Sequence, residues 1–194
     1  MRACIYGAGA MGTVLGAFIA HAGRQIDLIT RNRSHVAALN SAGAKVGFAA
    51  AGGGFTQKVN ALLPEQMTGK YDVIFLMTKQ RDNAKTAAYL SGFLAEDGVI
   101  CTTQNGLPER SIADVIGEGS TLGCAVSWGA TYVEPGYVLL TSSPDAMTFS
   151  VGSPFGKNDK VSLVSPYLSC AGKVDVEENF IGARWSKLII NSAF

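Results

Sequence analysis

The sequence predicts an α/β fold in which helices pack against a mostly parallel sheet, with antiparallel strands added towards one end. Three observations lead to this prediction. Short apolar runs alternate with helix-like segments from the first residue onward. A glycine-rich turn directly follows the first apolar run. Residues 121–151 form a β-rich stretch with turn sequences at Glu134-Pro135-Gly136 and Ser143-Pro144-Asp145, which favours antiparallel strands there.

The predicted elements follow one another in a regular order. Strands are expected where apolar and β-branched residues cluster, over residues 3–6, 25–29, 45–50, 55–59, 73–77, 99–102 and 173–176. Helices are expected over 11–22 with Gly23 as C-cap, after an N-cap at Ser34, over 82–94, after Pro108, over 159–170 and from Asn179 onward. This alternation is the pattern of βα units around a parallel sheet.

Length and composition limit the classes of protein to which the chain can belong. Its 194 residues, 47% hydrophobic and 16% charged, suit one globular domain and the start of a second. A formal net charge of +1 provides no general attraction to nucleic acid or to an anionic membrane. The apolar runs are too short to span a bilayer and the four cysteines lack metal-binding spacing. We therefore expect a cytoplasmic protein with a small-molecule partner and no metal.

The glycine-rich turn is the clearest functional motif. Gly7-Ala8-Gly9-Ala10-Met11-Gly12 follows a predicted strand and opens a predicted helix, which is the context that a dinucleotide-binding motif requires. Gly7 would allow the tight turn, Gly9 would let a pyrophosphate approach the backbone, and Gly12 would let helix and strand pack closely. The motif predicts a Rossmann-type NAD(P)-binding domain. The alternative is a glycine-rich turn without a ligand.

The end of the second predicted strand indicates which dinucleotide binds. NAD-binding domains place a carboxylate there for the ribose hydroxyls, whereas this chain has Thr30-Arg31-Asn32-Arg33. The guanidinium of Arg31 can form forked hydrogen bonds to a 2′-phosphate, so the sequence favours NADPH. Asp27 lies near the usual spacing for the NAD carboxylate, but inside the strand and not at its tip. The alternative for Arg31 and Arg33 is a solvated basic loop.

Further polar residues follow two other predicted strands. Lys79 follows the strand at 73–77, and Gln104-Asn105-Gly106 follows the strand at 99–102. Ligands of open α/β sheets bind beyond the carboxyl ends of the strands, so Lys79 and Asn105 are expected to gather there with the glycine turn and Arg31. Taken singly, each is equally compatible with an ordinary loop residue.

The last predicted helix carries a candidate proton donor. Arg184, Lys187 and Asn191 recur at three- and four-residue spacing and share one face, while Trp185, Leu188 and Ile189 lie on a mostly apolar face. The ammonium of Lys187 could stabilise and protonate a developing alkoxide. An exposed polar face is the alternative. The helix reaches Phe194 without a C-cap glycine, so we expect residues 1–176 to form the nucleotide-binding domain and 177–194 to begin an all-helical domain whose remainder is missing.

Taken together and in order, these motifs resemble the N-terminal part of the ketopantoate reductases, also called 2-dehydropantoate 2-reductases. The marks of the resemblance are the glycine motif, Arg31, Thr78-Lys79, Gln104-Asn105-Gly106, Gly129-Ala130, Pro135-Gly136, Trp185-Ser186-Lys187-Leu188 and Asn191. The resemblance implies an NADPH site formed by Gly7, Ala8, Gly9, Ala10, Met11, Gly12, Arg31, Lys79, Asn105 and Ala130. It also implies Lys187 as general acid, and Asn105 and Asn191 as substrate ligands.

The activity that the resemblance implies is reduction of the ketone of 2-dehydropantoate to pantoate, on the route to pantothenate and coenzyme A, with hydride from NADPH. Enzymes of related architecture act on other 2-oxo acids. Two alternatives stay open. One is a non-catalytic NADP-binding module, and the other is a Rossmann dehydrogenase of 3-hydroxy acids or glycerol 3-phosphate, which would prefer NAD. An apolar edge beside the missing domain would favour a homodimer.

Overall fold

The computed structural model describes residues 1–193 and contains two sheets. The strands are β1 (Ala3–Tyr6), β2 (Asp27–Ile29), β3 (Ala44–Phe48), β4 (Gly54–Gln57), β5 (Asn60–Leu62), β6 (Tyr71–Leu76), β7 (Leu94–Thr102), β8 (Thr121–Val126), β9 (Ala130–Glu134), β10 (Tyr137–Leu140), β11 (Thr148–Gly152) and β12 (Lys173–Val176). The α-helices are α1 (Ala10–His21), α2 (Arg33–Ala42), α3 (Asn83–Ser91), α4 (Glu109–Ile116), α5 (Val161–Leu168) and α6 (Phe180–Ser192).

The main sheet has eight strands in the order β12-β11-β8-β7-β6-β1-β2-β5. Every neighbouring pair in it is parallel except β8 and β11, which pair antiparallel. The predicted α/β fold with an antiparallel extension is therefore confirmed. The chain continues from β1 to β2 on one side and later returns to β6 on the other, which creates the crevice where ligands of such sheets bind.

Both faces of the main sheet are buried, because successive residues of each strand point to opposite faces. Ile5 belongs to an apolar cluster with α1, α2 and α5, whereas its neighbour Cys4 belongs to a second cluster with α3 and α4. Near-continuous apolar runs such as Val73–Leu76 follow from this arrangement. None of the helices within residues 1–193 has the length and apolar content needed to cross a membrane.

The smaller sheet differs from the expected arrangement. Its four strands, in the order β4-β3-β10-β9, pack against α1 instead of extending the main sheet. The predicted strands at 45–50 and 55–59 thus exist, with shifted ends, but form part of this second sheet. The main sheet instead ends in β5, which the sequence did not predict, because its three residues are too short to give a periodic pattern.

The predicted N-cap of α2 is also wrong. Ser34 was expected to cap this helix, but Asn32 is the N-cap, and its side-chain oxygen accepts the backbone N–H of His35 at 3.1 Å. Both residue types are good caps, so the choice between positions two residues apart depends on where the chain leaves β2. Phe194, the last residue of the expected second unit, lies outside the described residues.

Candidate functional site

The turn between β1 and α1 has the geometry that its three glycines predict. Gly7 has φ +109°, and a Cβ there would lie 2.7 Å from the backbone carbon of Met77. A Cβ on Gly12 would lie 2.6 Å from the Gly7 carbonyl oxygen. Both contacts are closer than real side chains allow, so the tight turn and the close packing of α1 require glycine here.

Gly9 differs from its two neighbours because a Cβ there would meet no atom within 4 Å. It precedes α1, whose first turn has neither a side-chain cap nor an acidic residue. The N–H groups of Ala10, Met11 and Gly12 therefore lie in a first turn that a helix leaves without acceptors of its own. Open space beside uncapped donors and the positive end of the helix fits a diphosphate.

A cleft of about 800 Å³ opens beside this turn. Its wall includes Gly7, Gly9, Arg31 and Lys79, so the structure brings together three of the regions that the sequence analysis identified. The lining is completed by Tyr6, Ile29, Thr30, Asn32, Pro64, Thr78, Arg81, Asp82, Lys85, Thr86 and Tyr89.

Two of these cleft residues, Arg81 and Lys85, were missed by the sequence analysis. They add two cations to those of Arg31 and Lys79, against the single carboxylate of Asp82. Within residues 1–193 none of the four cations forms a salt bridge, so all four charges remain available to a ligand. Arg81 lies in the turn between Lys79 and α3, and Lys85 lies in the first turn of α3, so the available signal was the closeness of three basic residues in the sequence.

The other charged residues near β2 are engaged with protein groups. Arg33 pairs with Glu65 at 2.8 Å, both exposed to solvent. Asp27 begins β2, at the end opposite the cleft, where it binds Arg2 at 2.9 Å and accepts the Tyr71 hydroxyl at 2.8 Å. Asp27 is thus held away from the position of an NAD-type carboxylate.

Asn105 lies in the loop after β7, in the wall of a smaller cleft of about 280 Å³ that Lys79 also lines. This loop is held by its neighbour Gln104, which is buried. The Gln104 amide donates to the Thr78 carbonyl at 2.8 Å and to the Asn83 side chain at 2.9 Å. The ends of β6 and β7 are thereby joined by a buried hydrogen-bond network.

Residues on α6 face different environments. Arg184 is 2% exposed, Lys187 is half-buried and Asn191 is exposed, so their shared face turns from the interior to solvent along the helix. The Lys187 ammonium donates to the carbonyl of Val126, at the carboxyl end of β8. Burial lowers the pKa of Lys187, and the charge of Arg184 lowers it further. Trp185 and Ile189 are 51% and 66% exposed.

The helix is seated by Phe180, whose ring fills space left by two glycines. Gly123 on β8 and Gly152 on β11 are directly paired across the antiparallel strands. A Cβ on Gly123 would lie 2.4 Å from the Phe180 ring, and one on Gly152 would lie 2.8 Å from the Phe180 Cβ. The start of α6 therefore packs directly on the backbone of the main sheet.

The predicted residues lie along one edge of the sheet in strand order. Arg31 follows β2, the glycine turn follows β1, Lys79 follows β6, Asn105 follows β7 and Lys187 reaches the end of β8. At about 4.8 Å per strand, the four steps from β2 to β8 span roughly 19 Å. Ala130 begins β9, packs against the main core and lies outside the two clefts described above.

Comparison with known proteins places this arrangement in a family. The profile described as ketopantoate reductase PanE/ApbA matches residues 3–154. The chain belongs to this family. Its members are NAD(P)-dependent dehydrogenases. A curated relative is the 2-dehydropantoate 2-reductase of Pyrococcus horikoshii, 32% identical over 198 residues that cover 100% of this chain and 62% of the relative.

Solved structures of a 2-dehydropantoate 2-reductase and of a D-mandelate dehydrogenase share the fold. The 2-dehydropantoate 2-reductase of Geobacter metallireducens superposes with a TM-score of 0.86 at 24% identity, over 98% of this chain and 62% of that one. A ternary structure of D-mandelate dehydrogenase with NADH and anilino(oxo)acetate gives 0.78 at 22% identity, over 93% of this chain and 58% of that one. The chain thus spans about three fifths of the length of these relatives.

Proposed function

We propose that this chain is the dinucleotide-binding part of an NADPH-dependent reductase that converts the ketone of 2-dehydropantoate, or of a related 2-oxo acid, to an alcohol. One observation carries the proposal: the uncapped glycine turn opens into a cleft with four cations that form no salt bridge within residues 1–193. Membership of the family and the named activity of the Pyrococcus horikoshii relative support the substrate class.

We assign the parts of the cofactor site as follows. The N–H groups of Ala10, Met11 and Gly12 would hold the pyrophosphate, with Gly7, Ala8 and Gly9 shaping the turn. Arg31 would contact the 2′-phosphate, and Lys79 would contribute a second cation from the end of β6. Asn105 and Ala130 would line the site further along the sheet edge. NADPH supplies the hydride when bound, and these residues orient it.

Lys187 is the proposed general acid. Its half-buried ammonium has a lowered pKa, which makes it a better proton donor at neutral pH than an ordinary lysine. An ammonium has three N–H donors, so the bond to Val126 leaves two for the ketone oxygen as it becomes negative. Asn191 lies one turn further along α6, where its amide could bind the substrate together with Asn105. We propose that residues 177–194 start a substrate-binding unit separate from the domain of residues 1–176.

The cofactor assignment is tested by calorimetric titration of the chain with NADPH and NADH. We expect NADPH to bind more tightly, and Arg31→Ala to weaken NADPH by about tenfold or more with little change for NADH, since a hydrogen bond to a charged group contributes about 1.5–3 kcal/mol. Arg33→Ala is the matched control, because Arg33 is already paired with Glu65. Equal affinities for the two dinucleotides would remove the role given to Arg31.

Catalysis is tested by joining the chain to the remainder of the Pyrococcus horikoshii relative and measuring 2-dehydropantoate reduction. In such an active protein, Lys187→Ala should lower kcat by roughly two to four orders of magnitude, as for loss of a general acid. A near-normal rate would reject Lys187 as the acid. Tight NADPH binding without reduction of any 2-oxo acid would favour a non-catalytic module.

A further inference from the structure

A buried ion pair joins α6 to the start of α4. Arg184 and Glu109 are each 2% exposed. The Arg184 Nε donates to Oε1 of Glu109 at 2.8 Å, and Nη2 donates to the same oxygen. Two buried charges are stable in such a place only when their remaining donors and acceptors are also satisfied.

The remaining donors of Arg184 reach the end of β7. Nη1 donates to the Gln104 carbonyl at 2.8 Å, and Nη2 donates to the Thr102 carbonyl at 3.2 Å. The Gln104 side chain in turn binds the carbonyl of Thr78 at 2.8 Å. A continuous hydrogen-bonded path therefore runs from α6 to the loops after β7 and β6, which carry Asn105 and Lys79.

Lys187 follows Arg184 by one turn of the same helix. Its ammonium reaches only the edge of β8, where Val126 accepts its hydrogen bond. The position of this ammonium relative to Asn105 thus depends on how α6 is held against the loop after β7. Arg184 is the side chain that makes this connection directly.

We propose that Arg184 and Glu109 are positioning residues, which fix the helix carrying Lys187 against the loop carrying Asn105. The inference rests on the proposed function, because it gives the pair a role in placing the proton donor. An ion pair that only stabilises the fold is the competing explanation, and the two explanations predict different behaviour of the loop after β7, which Arg184 contacts through the Gln104 carbonyl.

The charges around Lys187 show whether its ammonium lies close to the ion pair. Burial is the largest cause that lowers the pKa of Lys187. The charge of Arg184, on the same helix, lowers this pKa further, and the Cys124 thiol on β8 raises it. Burial raises the pKa of the Glu109 carboxyl, and the adjacent guanidinium opposes that rise. An ionised Glu109 offsets the charge of Arg184. Removing Arg184 should therefore raise the pKa of Lys187, and removing the Glu109 charge should lower it.

The experiment is an NMR titration of the lysine ε-carbons in the chain, with Lys187→Arg used to assign the resonance. Arg184→Met should raise the pKa of Lys187, and Glu109→Gln should lower it, each by roughly 0.5–1 unit. The matched control is an exposed ion pair near Glu109. Arg110 on α4 and Glu118, just beyond the end of α4, lie 2.8 Å apart. Arg110→Met and Glu118→Gln should leave the pKa of Lys187 unchanged.

A second measurement separates positioning from stabilisation of the whole fold. It does not depend on the single variants, each of which leaves one buried charge unpaired and can fail to fold. The double variant Arg184→Met/Glu109→Gln removes both charges, and amide hydrogen exchange then reports on residues 104–106. Faster exchange confined to this loop supports positioning. Unchanged loop exchange, or a Lys187 pKa that does not move in opposite directions in folded single variants, overturns it. Titration of the same samples with NADPH tests the proposed function separately.

Discussion

The imidazole of His35 on α2 contacts Gly136, which lies 101 residues further along the chain. Its Nδ1 accepts the backbone N–H of Gly136 at 2.9 Å, in the turn between β9 and β10. Its Nε2 lies 2.9 Å from the Thr13 hydroxyl on α1, so the proton of the neutral ring must be on Nε2. This buried histidine therefore ties the small sheet to the helix that starts at the glycine turn.

The His35 contact predicts a loss of stability in acid. Burial lowers the pKa of His35, so the unfolded chain binds a proton more readily than the folded one. Stability should be unaffected above the unfolded pKa of about 6.5, fall as the pH drops below it, and level off below the folded pKa. Denaturant unfolding at several pH values measures this. His35→Gln should flatten the dependence, and His21→Gln, at an exposed position on α1, is the matched control.

The glycines of the first turn predict separable effects on binding and stability. Gly9→Ala should weaken NADPH binding with little loss of stability, because its Cβ meets no protein atom but enters the space assigned to the pyrophosphate. Gly12→Ala should lower the melting temperature, because its Cβ would contact the Gly7 carbonyl. Gly119→Ala, at an exposed open position, is the control. Undiminished NADPH affinity in the Gly9 variant would argue against a pyrophosphate there.

Arg81 and Lys85 predict a salt-sensitive contribution to cofactor binding. Both are exposed, so each should contribute about 0.2–1 kcal/mol, or roughly a 1.4- to 5-fold change in affinity on replacement by alanine. The effect should shrink as salt is raised, because exposed charges are screened. Titrations of NADPH at low and high salt measure it. Lys157→Ala, outside the cleft, should have no effect at either salt concentration.

Replacement of Asp27 should lower the stability of the fold without changing the preference between NADPH and NADH. Asp27→Asn should destabilise the fold by about 1–3 kcal/mol, because it removes the charge that pairs with Arg2 and weakens the hydrogen bond that Asp27 accepts from the Tyr71 hydroxyl. The ratio of NADPH to NADH affinity should stay unchanged, as measured by titration of the folded variant. A selective loss of NADH binding would instead identify Asp27 as a ribose ligand.

The sequence predicted those features that depend on neighbouring residues. The glycine turn, the α/β order and the position of Arg31 all follow from local spacing, and the structure agrees with each. The pairing of β3 with β10 could not be predicted, because parallel strands so distant in the chain leave no local signal. The partner of Arg184 was missed for the same reason, since Glu109 lies 75 residues away.

The cleft residues also include some that local sequence predicted and others that only the fold brings into the cleft. Arg31 and Lys79 were predicted from their positions after strands, and they do line one cleft. Arg81 and Lys85 were missed, although they follow Lys79 closely, because exposed basic residues in the turn before a helix and in its first turn usually face solvent. Only the folding of α3 beside the glycine turn makes them part of the cleft wall.

The packing of Phe180 over Gly123 and Gly152 also restricts how this protein can be re-engineered. The Phe180 ring occupies the space beside the two glycines, so a helix that lacks this ring would pack at a different height over the sheet. Such a graft would carry its lysine away from the strand edge even if every polar residue were copied. Transplanting the chemistry would therefore require moving both glycines and the ring as one unit.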